Sequence, residues 1–212
     1  MKIVLLIYSL STGGAERNVV QMAEYWLAQG HDVSIITLTG DDAHSSYKLP
    51  SNLHLVRLGI NGSSQSSFRA VRSNIRRIQT LRRTFKELGP DTVISFMEPT
   101  NVLALCATAG TGIRVVIADR NDPVREYYGP AWRLLRNTTY PFAHKFVVQT
   151  RAVLKRYPVR LTTRAAAIPN PLILRQDNET GGTRPPQYTI CGMGRLVRQK
   201  GFDILLEAFA PL

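Results

Sequence analysis

Ser11-Thr12-Gly13-Gly14-Ala15-Glu16-Arg17 follows the apolar run Ile3 to Tyr8 and precedes Asn18 to Ala28, where Val19, Met22, Ala23, Trp26 and Leu27 recur at helical spacing. A buried strand therefore runs into a Gly-Gly turn and opens a helix. Such a turn aims backbone N–H groups and the positive end of a helix dipole at whatever sits over it, and phosphates are the natural guests. Glycine there permits close approach and, where the turn needs it, positive φ. A plain tight turn explains the same residues equally well. The dinucleotide fingerprint G-x-G-x-x-G is absent, and the second strand, Val33 to Leu38, runs into Thr39-Gly40 with no acidic residue at its end, which argues against a nicotinamide-dependent oxidoreductase.

Outward from that turn, strands and helices alternate. Further strands are predicted over Leu53 to Leu58, Asp91 to Phe96, Ile113 to Ala118, Lys145 to Val148 and Ala165 to Ile168. Between them, Asp41 to Pro50 and Gly59 to Ser67 read as loops. Helices are predicted over Phe68 to Leu88, Val102 to Thr108, Trp132 to Tyr140 and Thr150 to Tyr157. The pattern implies an α/β fold with a doubly wound parallel sheet. In such sheets ligands bind beyond the carboxyl ends of strands. Three polar clusters fall at those ends: Gly13-Gly14, Glu98 to Asn101 and Asp119 to Asp122.

The formal net charge of +12, from 27 basic against 15 acidic residues in a chain of 212, suits a polyanionic partner. Much of it lies on the long helix, where Arg69, Arg72, Arg76, Arg77, Arg82, Arg83 and Lys86 interleave with an apolar stripe of Phe68, Val71, Ile75, Ile78, Leu81, Phe85 and Leu88. Either this is a solvated face on a core helix, or it meets phosphates or an anionic membrane surface. No helix-turn-helix, zinc or stacking motif supports nucleic acid as the partner. Cys106 and Cys191 read as reduced buried thiols of a cytosolic protein, and no Cys/His spacing suggests a metal site. No segment has the roughly 18 apolar residues of a membrane span.

Arg175 to Pro186 is polar, with Gly181-Gly182 and Pro185-Pro186, and reads as a linker. It separates a first domain over 1–174 from a new unit over 187–212. In that unit Tyr188 to Cys191 is a strand, Gly192 to Arg195 a turn, and Phe202 to Phe209 a helix. One strand and one helix cannot bury a core alone, so the expectation is that the rest of a second domain is missing.

Gly194-Arg195-Leu196-Val197-Arg198-Gln199-Lys200-Gly201-Phe202-Asp203 resembles the opening of the second domain in retaining glycosyltransferases of family 4, which have the GT-B fold. The Gly-Gly-Ala-Glu-Arg turn and Ile168-Pro169-Asn170 resemble the family's first-domain loop and its passage before the crossover. Ile94-Ser95-Phe96 and Asp119 to Pro123 are similar to members that extend polyprenyl-diphosphate-linked or surface-polysaccharide sugars. The resemblance implies two Rossmann-like domains and transfer of a sugar from a nucleotide donor, usually a UDP-sugar, with retained configuration. It implies no metal or other cofactor. It places Arg195, Lys200, Gly13 and Gly14 on the donor diphosphate, and makes Glu16, Glu98, Asn101, Asp119, Arg120 and Asn121 acceptor-side candidates. The implied setting is the cytoplasmic face of the membrane, with a lipid-linked or glycan acceptor. Two departures stand out. Arg120 holds the place where many members have a histidine, and the family's paired glutamates have no counterpart, Glu207 being too early. If 212 residues were the entire protein, little or no transferase activity would be expected. A non-catalytic module binding an anionic or lipid-linked ligand is the alternative.

Overall fold

The computed structural model describes residues 1–40, 45, 47–61, 67–124, 128–171, 190–194, 196 and 200–210. Two compact units divide the chain, Met1–Pro171 and Leu172–Leu212.

In the first unit the strands are β1 (Lys2–Ile7), β2 (Asp32–Thr37), β3 (His54–Arg57), β4 (Thr92–Phe96), β5 (Arg114–Asp119), β6 (Lys145–Val148) and β7 (Ala165–Ala167). They form one sheet in the order β3-β2-β1-β4-β5-β6-β7, every pairing parallel. β1 and β2 are near-continuous apolar runs because strands at the centre of a parallel sheet are covered on both faces. β3, at the edge, is only half-buried.

The helices are α1 (Gly14–Ala28), α2 (Ser67–Leu88), α3 (Glu98–Thr108), α4 (Pro130–Thr139), α5 (Arg151–Leu154) and α6 (Val159–Thr162), with a 3₁₀ turn at Tyr140–Phe142. α1 packs Val19, Val20 and Ala23 against Ile3, Leu5, Ile7 and Ile35 on one face of the sheet. α2 and α3 pack Leu81, Phe85, Val102 and Leu103 against Val4, Leu6, Val93 and Ile117 on the other. The alternation of inward directions along β1 sorts its residues between these two cores.

Several elements depart from the sequence expectation, each for a physical reason. α3 starts at Glu98, four residues before Val102, because Pro99 sits in its first turn, where the missing N–H costs nothing. The Thr150 to Tyr157 helix is only one turn, capped by the Thr150 hydroxyl, which accepts the Val153 N–H at 3.2 Å. Pro158 disfavours helical backbone at Tyr157, and that side chain turns inward. On α2, Val71 and Ile75 stand exposed rather than buried; at 100° per residue Ile75 lies about 120° around the helix from Leu81. Arg69 and Phe68 have side chains outside the described residues, as do the expected linker over 175–186 and the first half of the strand Tyr188 to Cys191. Its remaining residues, Ile190 and Cys191, are not in a strand.

The second unit contributes α7 (Phe202–Phe209). Gly201, its N-cap, has φ of 65°, the left-handed region that favours glycine. The Phe202 ring lies on the backbone of Gly192 and Gly194, where added Cβ atoms would come within 3.0 and 3.3 Å of it.

Candidate functional site

The sheet reverses its winding between β1 and β4. β1 leads left to β2 through α1 on one face, while β4 leads right to β5 through α3 on the other. The strands stay paired to Leu6 and Ser95, and the chain leaves them toward opposite faces, making the kind of crevice where open α/β sheets receive ligands. Two helix amino-termini, at Gly14 and Glu98, border it.

Gly13 and Gly14 are not equivalent. Gly13 is extended, with φ of −179°, and neither glycine has positive φ. Its N–H is already used: it donates to the Tyr47 Oη at 3.0 Å, and that hydroxyl donates back to the Gly13 carbonyl at 2.6 Å. The Glu16 carboxylate folds over Gly13, so a Cβ there would collide with it. Glu16 lies in the first turn of α1, where the helix dipole favours a negative charge. A Cβ on Gly14 would meet nothing within 4 Å. The open approach is thus at Gly14. Tyr47, from a segment read as plain loop, is the brace that sequence reasoning missed.

Across the crevice, Met97 links β4 to α3 with φ of 75°, and among the described residues it is the one non-glycine with positive φ. Such strain is held at functional junctions by its surroundings. Here the Met97 N–H donates to Ala118 on β5 at 2.9 Å and its carbonyl accepts the Asn101 N–H at 2.9 Å. Met97→Gly is therefore expected to be more stable than Met97→Ala by about 1 kcal/mol or more, an inversion of the usual order. Chemical denaturation of the pair measures it.

Beneath this rim lies a polar cluster built from the candidates themselves. Asp119, at the end of β5, is 4% exposed and Asn101, in α3, 0%. The Asp119 carboxylate accepts the Tyr157 hydroxyl at 2.6 Å, the Tyr140 hydroxyl at 2.9 Å and the Asn101 Nδ2 at 2.7 Å. Burial pushes the Asp119 carboxyl above its ordinary value, against the pull of these donors and of Arg136. Burial and the Asp119 charge push both tyrosines up, which keeps their hydroxyls protonated and donating. Glu98 is also buried, and its carboxylate accepts Arg136 from α4 at 2.9 Å. The Arg136 guanidinium sits 5.4 Å from the Tyr157 ring centroid. These groups lock β4, β5, α3 and α4 to one another under the crevice. Sequence reasoning missed Arg136, Tyr140 and Tyr157, which lie in or beyond helices whose burial no pattern revealed.

Arg120 and Asn121 stand higher on the rim. Arg120 donates from Nη1 to Asn170 Oδ1 at 2.5 Å, and its guanidinium carbon lies 5.4 Å from the Phe96 ring centroid. Burial lowers its basicity. Asn121 Nδ2 points to the Met97 sulfur at 3.9 Å. Asp122 pairs with Arg156 at 2.7 Å. Met97, Glu98, Asp119, Arg120, Asn121 and Tyr128 line a slot of about 10 Å³, room for roughly one water. Anything larger than a water must lie across this rim rather than inside it. Of the residues expected on a donor diphosphate in the second unit, Lys200 is exposed just before α7. Arg195 lies outside the described residues.

The family model described as Glycosyltransferase Family 4 matches residues 12–175. A curated Campylobacter jejuni protein is 29% identical over 213 residues, covering 100% of this chain and 57% of its own length. Its name is GalNAc-alpha-(1->4)-GalNAc-alpha-(1->3)-diNAcBac-PP-undecaprenol alpha-1,4-N-acetyl-D-galactosaminyltransferase. Among solved structures, sucrose-phosphate synthase from Thermosynechococcus elongatus superposes with a TM-score of 0.62 at 13% identity, over 80% of this chain and 48% of that one. The apo lipopolysaccharide outer core galactosyltransferase WaaB does so with a TM-score of 0.62 at 12% identity, over 83% and 47%. The chain thus spans a little over half the length of the curated relative it matches.

Proposed function

This chain belongs to glycosyltransferase family 4, and from that premise we propose that it carries the acceptor-side unit of a retaining transferase. The reaction moves a sugar from a nucleotide donor, a UDP-sugar, to a lipid-linked or polysaccharide acceptor. The carrying observation is the crevice at the sheet's reversal, inside the matched span, with Gly14 open beside one helix amino-terminus and Arg120 and Asn121 beyond the other. The name of the Campylobacter relative directs the choice of substrates: a polyprenyl-diphosphate-linked glycan as acceptor and an N-acetylhexosamine as the sugar added. Arg195 and Lys200 hold the donor diphosphate, where fixed cations stabilise the leaving charge without a metal. Glu98, Asn101 and Asp119 act by shaping the rim on which Arg120 and Asn121 meet the acceptor.

α2 then supplies contact with an anionic membrane at its cytoplasmic face. Val71 and Ile75 are exposed among Arg72, Arg76, Arg82 and Arg83, also exposed, the composition of an interfacial helix. Each basic residue near an anionic bilayer contributes about 1 kcal/mol. Arg72→Gln/Arg76→Gln should therefore weaken co-sedimentation with anionic vesicles roughly thirtyfold, while neutral vesicles show no change.

The transfer reading is tested with the protein as its cell produces it, supplied with UDP-N-acetylhexosamine and a short-chain prenyl-diphosphate-linked glycan. A glycan lengthened by one sugar with retained configuration supports it. Binding of the acceptor with no lengthening overturns it and leaves a binding module.

A further inference from the structure

At the opposite end of the sheet, three neighbouring parallel strands begin beside a cation or imidazole. Arg114 opens β5, His144 precedes β6 and Arg164 precedes β7. All three are exposed, and all line one cavity of about 640 Å³, within the range of small-molecule sites. Leu105, Ile113 and Val115 give it apolar walls. Phe142, 82% exposed, stands at its border. Among the described residues none of the three basic groups has a carboxylate within ion-pair distance. The carboxyl end of α3 borders the cavity too, but its roughly half unit of negative charge does not balance two guanidinium groups.

Like charges gathered at one edge repel, and an apolar recess beside them leaves hydrocarbon unsatisfied. One class of ligand relieves both. We infer that this cavity binds an anionic amphiphile, with its phosphate between Arg114 and Arg164 and its chain against Leu105 and Ile113. Arginine pairs with phosphate oxygens through two parallel N–H bonds, which suits the head group. The site is distinct from the crevice: six-residue β5 separates them by about 16 Å at 3.3 Å per residue. It does not depend on the transferase reading.

The test is a ¹⁵N NMR titration of the 212-residue chain with dodecyl phosphate below its micelle concentration. Saturable shifts at the amides of Gly110, Gly112 and His144 are expected, with none from inorganic phosphate at the same concentration. Arg114→Ala/Arg164→Ala should weaken binding at least tenfold while the spectrum stays dispersed. Ala109→Trp, which fills the cavity and keeps both arginines, should weaken it as well. Absence of saturable shifts at those amides would overturn the inference. So would equal binding by the arginine variant, or equal binding of dodecyl maltoside. Anionic phospholipid vesicles identify the source. Co-sedimentation lost in the arginine variant makes the ligand a bilayer lipid; co-sedimentation unchanged, with dodecyl phosphate still bound by the unaltered chain, makes it a free amphiphile.

Discussion

Asp119→Ala is expected to lower folding stability by about 4 kcal/mol. The carboxylate is the shared acceptor of Tyr140, Tyr157 and Asn101, all in the interior. Alanine takes the acceptor from both tyrosine hydroxyls, while Asn101 Nδ2 keeps the Ala118 carbonyl at 3.3 Å, and each buried orphan costs about 1–3 kcal/mol. Asp119→Asn keeps one acceptor oxygen and should lose about half as much. The pH dependence separates the two variants further. Because burial raises the folded-state value of Asp119, its protonated form is favoured by folding. That contribution is complete below the ordinary value of 3.8 and is lost as pH rises through the raised one. The deficit of Asp119→Asn is therefore largest in acid and shrinks toward neutrality. Urea denaturation at several pH values reads both effects. A loss under 1 kcal/mol for alanine would mean that Asp119 is a surface ligand and not a structural hub.

Glu98→Leu is expected to cost about 3–5 kcal/mol. It strips Arg136 of the carboxylate it meets at 2.9 Å and leaves a buried cation over the Tyr157 ring. The double variant Glu98→Leu/Arg136→Met should recover most of that loss, since neither ion then has to be desolvated. Denaturation of the single and double variants measures the recovery. A single variant as stable as the unaltered chain would show that the pair contributes nothing to holding α3 against α4.

The parallel sheet was legible because its central strands are apolar on both faces. Ile3 to Ile7 and Val33 to Thr37 announce burial before any fold is considered. Gly13-Gly14, Glu98 and Asp119, at or beyond the ends of β1, β4 and β5, drew attention to the rim of the crevice in the sequence. What those residues do there was not legible. Asp119 and Asn121 look alike in sequence, yet one is locked by two tyrosines and the other reaches the rim. The tyrosines come from the ends of segments 20 to 40 residues downstream, and such pairings leave no periodic trace. The strain at Met97 has none either, since methionine carries no signal for positive φ. Gly13 suggested a free N–H, but Tyr47 takes it. On α2 the apolar spacing held, but its phase drifts, and Val71 and Ile75 come out beside arginines.

Ligands of this unit are expected to lie across the crevice between β1 and β4. The most direct test of that placement is a ¹⁵N NMR titration with a short-chain prenyl diphosphate carrying an N-acetylhexosamine. The largest amide shifts are expected at Gly14, Met97, Arg120 and Asn121, saturating together with one affinity. Saturable binding that leaves those four amides unmoved would contradict it.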